Sequence, residues 1–94
     1  MTNEMPGAIE IESAMLKVLS VNSIGLHTRE MRNAVAGYLG LSEEVLRIQR
    51  IGSRQEFGYR LAWARTKAQQ KGLIERIDVA IWRITELGMR SIHK

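Results

Sequence analysis

Ninety-four residues, 45% of them apolar and 26% charged, make one small domain that buries only roughly 60–65% of its unfolded surface and leaves no room for a separate catalytic domain. Cysteine is absent, which excludes a disulfide framework and a thiolate metal site and suits a reducing compartment. The net charge is +4, no apolar run nears the roughly 20 residues of a bilayer span, and Met1–Pro6 lacks the basic and apolar regions of a leader, so a soluble, cytoplasmic chain without membrane contact is expected.

In chain order, residues 1–8, with the sole proline Pro6, read as a flexible arm, and residues 9–94 as the folded domain. A first helix runs from Ile9 to Leu19 with Ile11, Met15, Leu16, Val18 and Leu19 at helical spacing. Thr28 is the expected N-cap of a second helix to about Leu39, with Met31, Ala34, Val35 and Leu39 inward and Gly40 closing it. Ser42 caps a shorter helix through about Ile48. A fourth helix spans Arg54 to Lys71. On a wheel of about 100° per residue, Phe57, Leu61, Ala64 and Ala68 share one side. Gln55, Tyr59, Ala62, Thr66 and Gln70 lie opposite, flanked by Arg60 and Lys67 on one side and Arg65 on the other. Gly72 takes the position after the helix end. Leu73–Arg76 and Ala80–Ile84 then read as strands around residues 77–79, a short wing, and Thr85 caps a last helix, Glu86 to Ile92, that would pack Leu87 and Ile92 on the core.

The basic residues are concentrated. Residues 47–71 hold Arg47, Arg50, Arg54, Arg60, Arg65, Lys67 and Lys71 against Glu56 alone, a balance of +6, while seven basic and nine acidic residues elsewhere leave −2. A solvated helix face usually carries compensating acids at i,i+4, and here they are nearly missing. A basic amphipathic helix followed by a hairpin is how a winged helix-turn-helix presents one element to the DNA major groove and another to the backbone. The outward side chains suit it: Gln bonds adenine, Arg bonds guanine, and Ala62 and Thr66 let a thymine methyl approach.

Each tryptophan has two readings, packing with its N–H bonded or stacking on a base. Packing is expected for both, more strongly for Trp82, which alternates with Ile81 and Ile84, than for Trp63, which lies beside Arg60 and Lys67. Tyr59, mid-face among polar neighbours, favours a base or phosphate contact. Enzymatic readings fare poorly. No Asp or Glu is followed two positions later by Lys, as a metal-dependent nuclease site would require, and no glycine pattern forms a phosphate cradle. His27 and His93 are far apart and suit capping or a solvated tip. Neither enzymatic activity nor a cofactor or metal is expected.

Phe57-x-Tyr59-Arg60-Leu61-x-Trp63-Ala64-Arg65, then Lys71-Gly72-Leu73, then Trp82-Arg83-Ile84-Thr85-x-x-Gly88, resembles the N-terminal domain of Mrr-type, modification-dependent restriction endonucleases over nearly the whole chain. Arg29-Glu30-Met31 resembles that family's second-helix start. Tyr59 stands where the family usually carries Asn, and the loop before Phe57 differs in length from common members. The resemblance implies a winged-helix domain that recognises DNA, often with modified bases, ahead of a separate nuclease domain.

The expectation is therefore an α+β winged helix-turn-helix, mostly helical with a short β-hairpin wing, that binds double-stranded DNA as the recognition module of a modification-dependent restriction system. Arg54, Gln55, Tyr59 and Arg60 form the expected base-reading set, with Thr66 beside them; Arg47, Arg50, Arg65, Lys67 and Arg76 are expected on phosphates. A homodimer or a fused nuclease domain is the assembly left open. A free-standing winged-helix transcriptional regulator and a winged helix used for protein–protein contact are the alternatives.

Overall fold

Three of the five helix starts among the described residues carry a cap side chain that accepts from a free backbone N–H. The computed structural model describes residues 3–50, 52 and 55–93. Its elements in order are α1 (Ala8–Ser20), β1 (Leu26–His27), α2 (Thr28–Leu39), α3 (Glu43–Leu46), α4 (Glu56–Gln70), β2 (Ile74–Asp78), β3 (Ile81–Ile84) and α5 (Glu86–Ile92). Ser42 Oγ accepts from Val45 N at 3.3 Å and Thr85 Oγ1 from Gly88 N at 3.0 Å, as their residue types foretell. The cap of α2 is His27 rather than Thr28. Its Nδ1 accepts from Arg29 N at 3.1 Å, while Glu30 Oε1 accepts from His27 N at 2.9 Å, a reciprocal capping box. The shift has a tertiary cause: Thr28 N is already taken by the Ala80 carbonyl at 2.8 Å, and His27 ends a strand.

That strand, β1, is absent from the sequence reading. It pairs Leu26 with Trp82 and His27 with Ile81, so the antiparallel sheet has the order β1-β3-β2, with β3 central. The hairpin β2–β3 pairs Ile74 with Ile84 and Arg76 with Trp82, then shifts register before Asp78 meets Ile81. α3 stops at Leu46, short of the expected Ile48. Residues 47–55 instead form a connection in which Gln49 bridges to Gln55 and Glu56 N donates to the Ile48 carbonyl at 2.8 Å. α+β architecture in which a helix and a short strand precede three helices, a hairpin and a last helix is that of a winged helix-turn-helix.

The core gathers Ile11, Met15 and Leu19 of α1, Met31 and Val35 of α2, Val45 of α3, and Phe57, Leu61, Ala64 and Ala68 of α4. Phe57 and Leu61 are almost fully buried and contribute about 1.5–3 kcal/mol each by leaving water. Trp82 joins this cluster at 9% exposure, as expected, but its buried Nε1–H finds no hydrogen-bond partner among the described residues. Two expectations fail. Trp63 is 51% exposed, because its wheel position faces away from the buried stripe. Leu87 is 48% exposed; Met89 packs against the core in its place, beside Ile92 as expected. Pro6 is buried, and Met5 packs against the core cluster.

Two glycines are required by geometry. Gly72 has φ +77°, where the left-handed conformation lets Leu73 N reach back to the Ala68 carbonyl at 2.9 Å and close α4. Gly88 lets α5 lie against the hairpin, since a Cβ there would overlap the Leu73 carbonyl and stand 2.6 Å from Ile84 Cγ1. Backbone cannot yield as a flexible side chain would. Gly88→Ala should therefore cost at least about 2 kcal/mol and lower the melting midpoint by about 10 °C or more in thermal denaturation; a midpoint within a degree or two of wild type would contradict this packing of α5.

Candidate nucleic-acid interface

Burying Phe57, Leu61, Ala64 and Ala68 turns the opposite side of α4 to solvent. Tyr59, Ala62, Trp63 and Thr66 line a shallow recess of about 320 Å³ there. Thr66 Oγ1 donates to the Ala62 carbonyl at 3.1 Å, so its hydroxyl is used within the helix and the recess is largely apolar. Trp63 and Tyr59 meet edge to face, ring centroids 6.4 Å apart and planes at 70°.

On the α1 side of the same helix, one carboxylate organises the cations. Glu56 Oε2 accepts from Arg60 Nε at 2.6 Å, and Arg50 Nη1 donates to Oε1 at 2.9 Å and Oε2 at 3.3 Å. Arg60 is further anchored by Nη1 donating to the Pro6 carbonyl at 2.9 Å. The Arg50 guanidinium lies 3.7 Å from the Tyr59 ring centroid, a cation–π contact. The Arg60 hydrogen bond, followed by the nearby positive charge of Arg50 and Arg60, holds the Glu56 carboxyl below its ordinary value against the opposing effect of partial burial. Lys71 Nζ pairs with Glu12 at 3.0 Å along the same edge.

The residues singled out from the sequence are distributed unequally. Arg50, Tyr59, Arg60 and Lys67 come together along one groove, which continues over Trp63 toward α1. Thr66 joins Tyr59 at the recess. Gln55 sits at the N-cap of α4, its Oε1 accepting from Arg32 Nη2 at 2.6 Å. Arg65 lies on the other flank, its guanidinium 5.6 Å from the Trp82 ring. Arg47 is exposed at the C-cap of α3 and Arg76 is exposed on β2. Arg54 lies outside the described residues. The sequence reading missed Arg32, which only the fold brings to Gln55, and it undervalued Trp63. The signal for Trp63 was present in its wheel position beside Arg60 and Lys67.

Fold and surface together define a small α+β winged-helix domain whose longest helix turns an apolar, aromatic and cation-rimmed face outward. The chain belongs to the Mrr N-terminal domain family, whose model matches residues 10–94, and this associates it with Mrr-type restriction systems. No curated protein and no solved structure matches the chain. Among the described residues, no helix is long and apolar enough to cross a membrane, and no group of three His, Asp or Glu could hold a metal ion.

The Glu56 clamp has a pH signature. A carboxyl whose folded pKa lies below its unfolded value stabilises the fold above the unfolded value and loses that contribution as pH falls through the folded one. Wild type should therefore melt above Glu56→Gln at pH 6–7, and the gap should shrink on acidification below the ordinary value of 4.5. A gap that stayed constant or widened on acidification would show that the clamp is not ionic.

Proposed function

We propose that this domain binds double-stranded DNA with the outward face of α4 in the major groove, as the recognition module of a modification-dependent restriction system. The observation that carries the reading is the apolar recess of Tyr59, Ala62, Trp63 and Thr66 set between cations on the outward face of α4, whose opposite face is buried in the core. Major-groove reading needs such a protruding, well-anchored helix, and phosphates on either side need cations on its flanks. Membership of the Mrr N-terminal family supports the same assignment.

Within it, Arg47, Arg50, Arg65, Lys67 and Arg76 take phosphates, while Gln55, Tyr59, Arg60 and Thr66 face bases, together with Arg54. Two of these are partly engaged. Arg60 Nε and Nη1 each give one N–H to Glu56 and Pro6, so a bidentate grip on guanine falls to the remaining N–H groups of Nη1 and Nη2. Gln55 likewise has its oxygen on Arg32, leaving its amide to donate. Modified bases fit the recess. A 5-methyl group on cytosine projects into the major groove where thymine carries its own, and burying it against Ala62, Trp63 or the Thr66 methyl contributes about 0.8 kcal/mol, roughly fourfold in affinity.

Salt dependence tests the reading. With about four to six phosphate contacts, log K against log salt should fall with a slope of about −4 to −5. Lys67→Ala and Arg47→Ala should each flatten it by about 0.9 and weaken all duplexes alike, whereas Arg60→Ala should relax preference at one base pair. A slope near zero would remove the DNA-binding reading, and equal affinities for unmodified, 5-methylcytosine and N6-methyladenine duplexes would remove the modified-base part alone.

A further inference from the structure

Beyond the recess, on the other side of Tyr59 and Trp63, lies a second concavity of about 460 Å³ between α1 and α4. Its volume is within the range of small-ligand sites, roughly 300–1,000 Å³. Three features of its lining converge on one chemistry. The edge-to-face pair of Tyr59 and Trp63 forms an aromatic corner, and Trp63 is exposed enough to be reached from outside. Arg50 already covers the Tyr59 face at 3.7 Å, close to the spacing of stacked planes, so the slot accepts a flat, delocalised group there. At its floor the Glu56 carboxylate, its side chain only 16% exposed, offers hydrogen-bond acceptors and no donor.

We propose that this groove is a nucleotide site, taking a base with an exocyclic amine, cytosine, adenine or guanine, together with its phosphate. The base enters beside Tyr59 and Trp63 in the place of the Arg50 guanidinium. Arg50 belongs to the connection between α3 and α4 and its side chain is 38% exposed, so it can leave while Arg60 still holds Glu56. The amine then donates to the Glu56 oxygen that Arg50 gives up, as cytosine N4 donates to carboxylates elsewhere. Thymine presents a carbonyl oxygen at that position and is repelled. Lys67 on the rim, with the displaced Arg50, meets the phosphate. The nucleotide comes either free from solution or extruded from a duplex lying on the adjacent recess; the second source rests on the DNA-binding function proposed above, the first does not.

The Trp63 indole N–H resonance of the ¹⁵N-labelled domain reports on the site during titration with dCMP, dAMP, dTMP and inorganic phosphate. Cytidine and adenosine monophosphates should shift it at concentrations at least about fivefold below thymidine monophosphate, and phosphate alone should leave it unmoved. Since stacking one base on an aromatic side chain typically changes affinity about fivefold or more, Trp63→Ala, which removes an exposed side chain, should weaken dCMP by that factor. Glu56→Gln should abolish the preference over dTMP. Imino-proton spectra of a bound duplex identify the source: loss of one base-pair imino resonance marks extrusion, and retention of all of them, with dCMP still bound, marks a free nucleotide. An indole that none of the nucleotides moves, or that dTMP and inorganic phosphate move as readily as dCMP, overturns the site. Salt-dependent duplex binding alongside that failure would leave the DNA-binding function standing, whereas dCMP binding without duplex binding would do the reverse.

Discussion

The seating of α4 on the core is the constraint on which the rest of this structure depends. Phe57 and Leu61 supply the buried apolar mass, and Ala64 and Ala68 are small enough for the helix to close on its neighbours along its second half. Both ends are then fixed independently. At the start, Gln55 is held by Arg32 and by its bridge to Gln49; at the end, Gly72 allows the chain to reverse, and Thr85 Oγ1 donates to the Gly72 carbonyl at 2.6 Å. A helix held along one side and at both ends has no rotational freedom, so the identity of its outward residues follows from the identity of its inward ones.

Electrostatics sharpen that geometry. Glu56 is the one acid in the basic stretch, and instead of neutralising the surface it gathers Arg50 and Arg60 on one side of α4. The wing contributes little net charge: Glu75 pairs with Arg83 across the hairpin at 3.2 Å, and Asp78 sits at its turn, accepting from Val79 N. Exposed pairs of this kind add little stability, about 0–1 kcal/mol. Their effect is on where the potential is concentrated, which is on α4 and the segment before it.

Much of the fold was legible because its signals are local. Helical spacing gave α1, α2 and α4; Ser42, Thr85 and Gly72 marked boundaries with their own side chains or lack of one. The failures are tertiary. β1 is two residues paired to β3, far along the chain, so neither length nor alternation could announce it, and the same pairing moved the α2 cap from Thr28 to His27. Leu87 looked inward by composition, but the close approach that Gly88 permits turns Met89 to the core instead, alongside the expected Ile92. At the candidate site, the basic concentration and the outward face of α4 were readable from one helix wheel. The Arg32–Gln55 bond, the Arg60–Pro6 anchor and the stacking of Arg50 on Tyr59 join segments whose distance apart in sequence carries no trace of contact.

The most direct test is to map where DNA touches the domain. In backbone amide spectra of the ¹⁵N-labelled chain titrated with a short duplex, the largest shifts should fall on Tyr59, Ala62, Trp63, Thr66 and Lys67 of α4, with smaller ones at Arg47 and Arg76 and none on the buried side of α1. Shifts confined to α5 and the far side of α1, or no shifts at saturating duplex, would contradict the account.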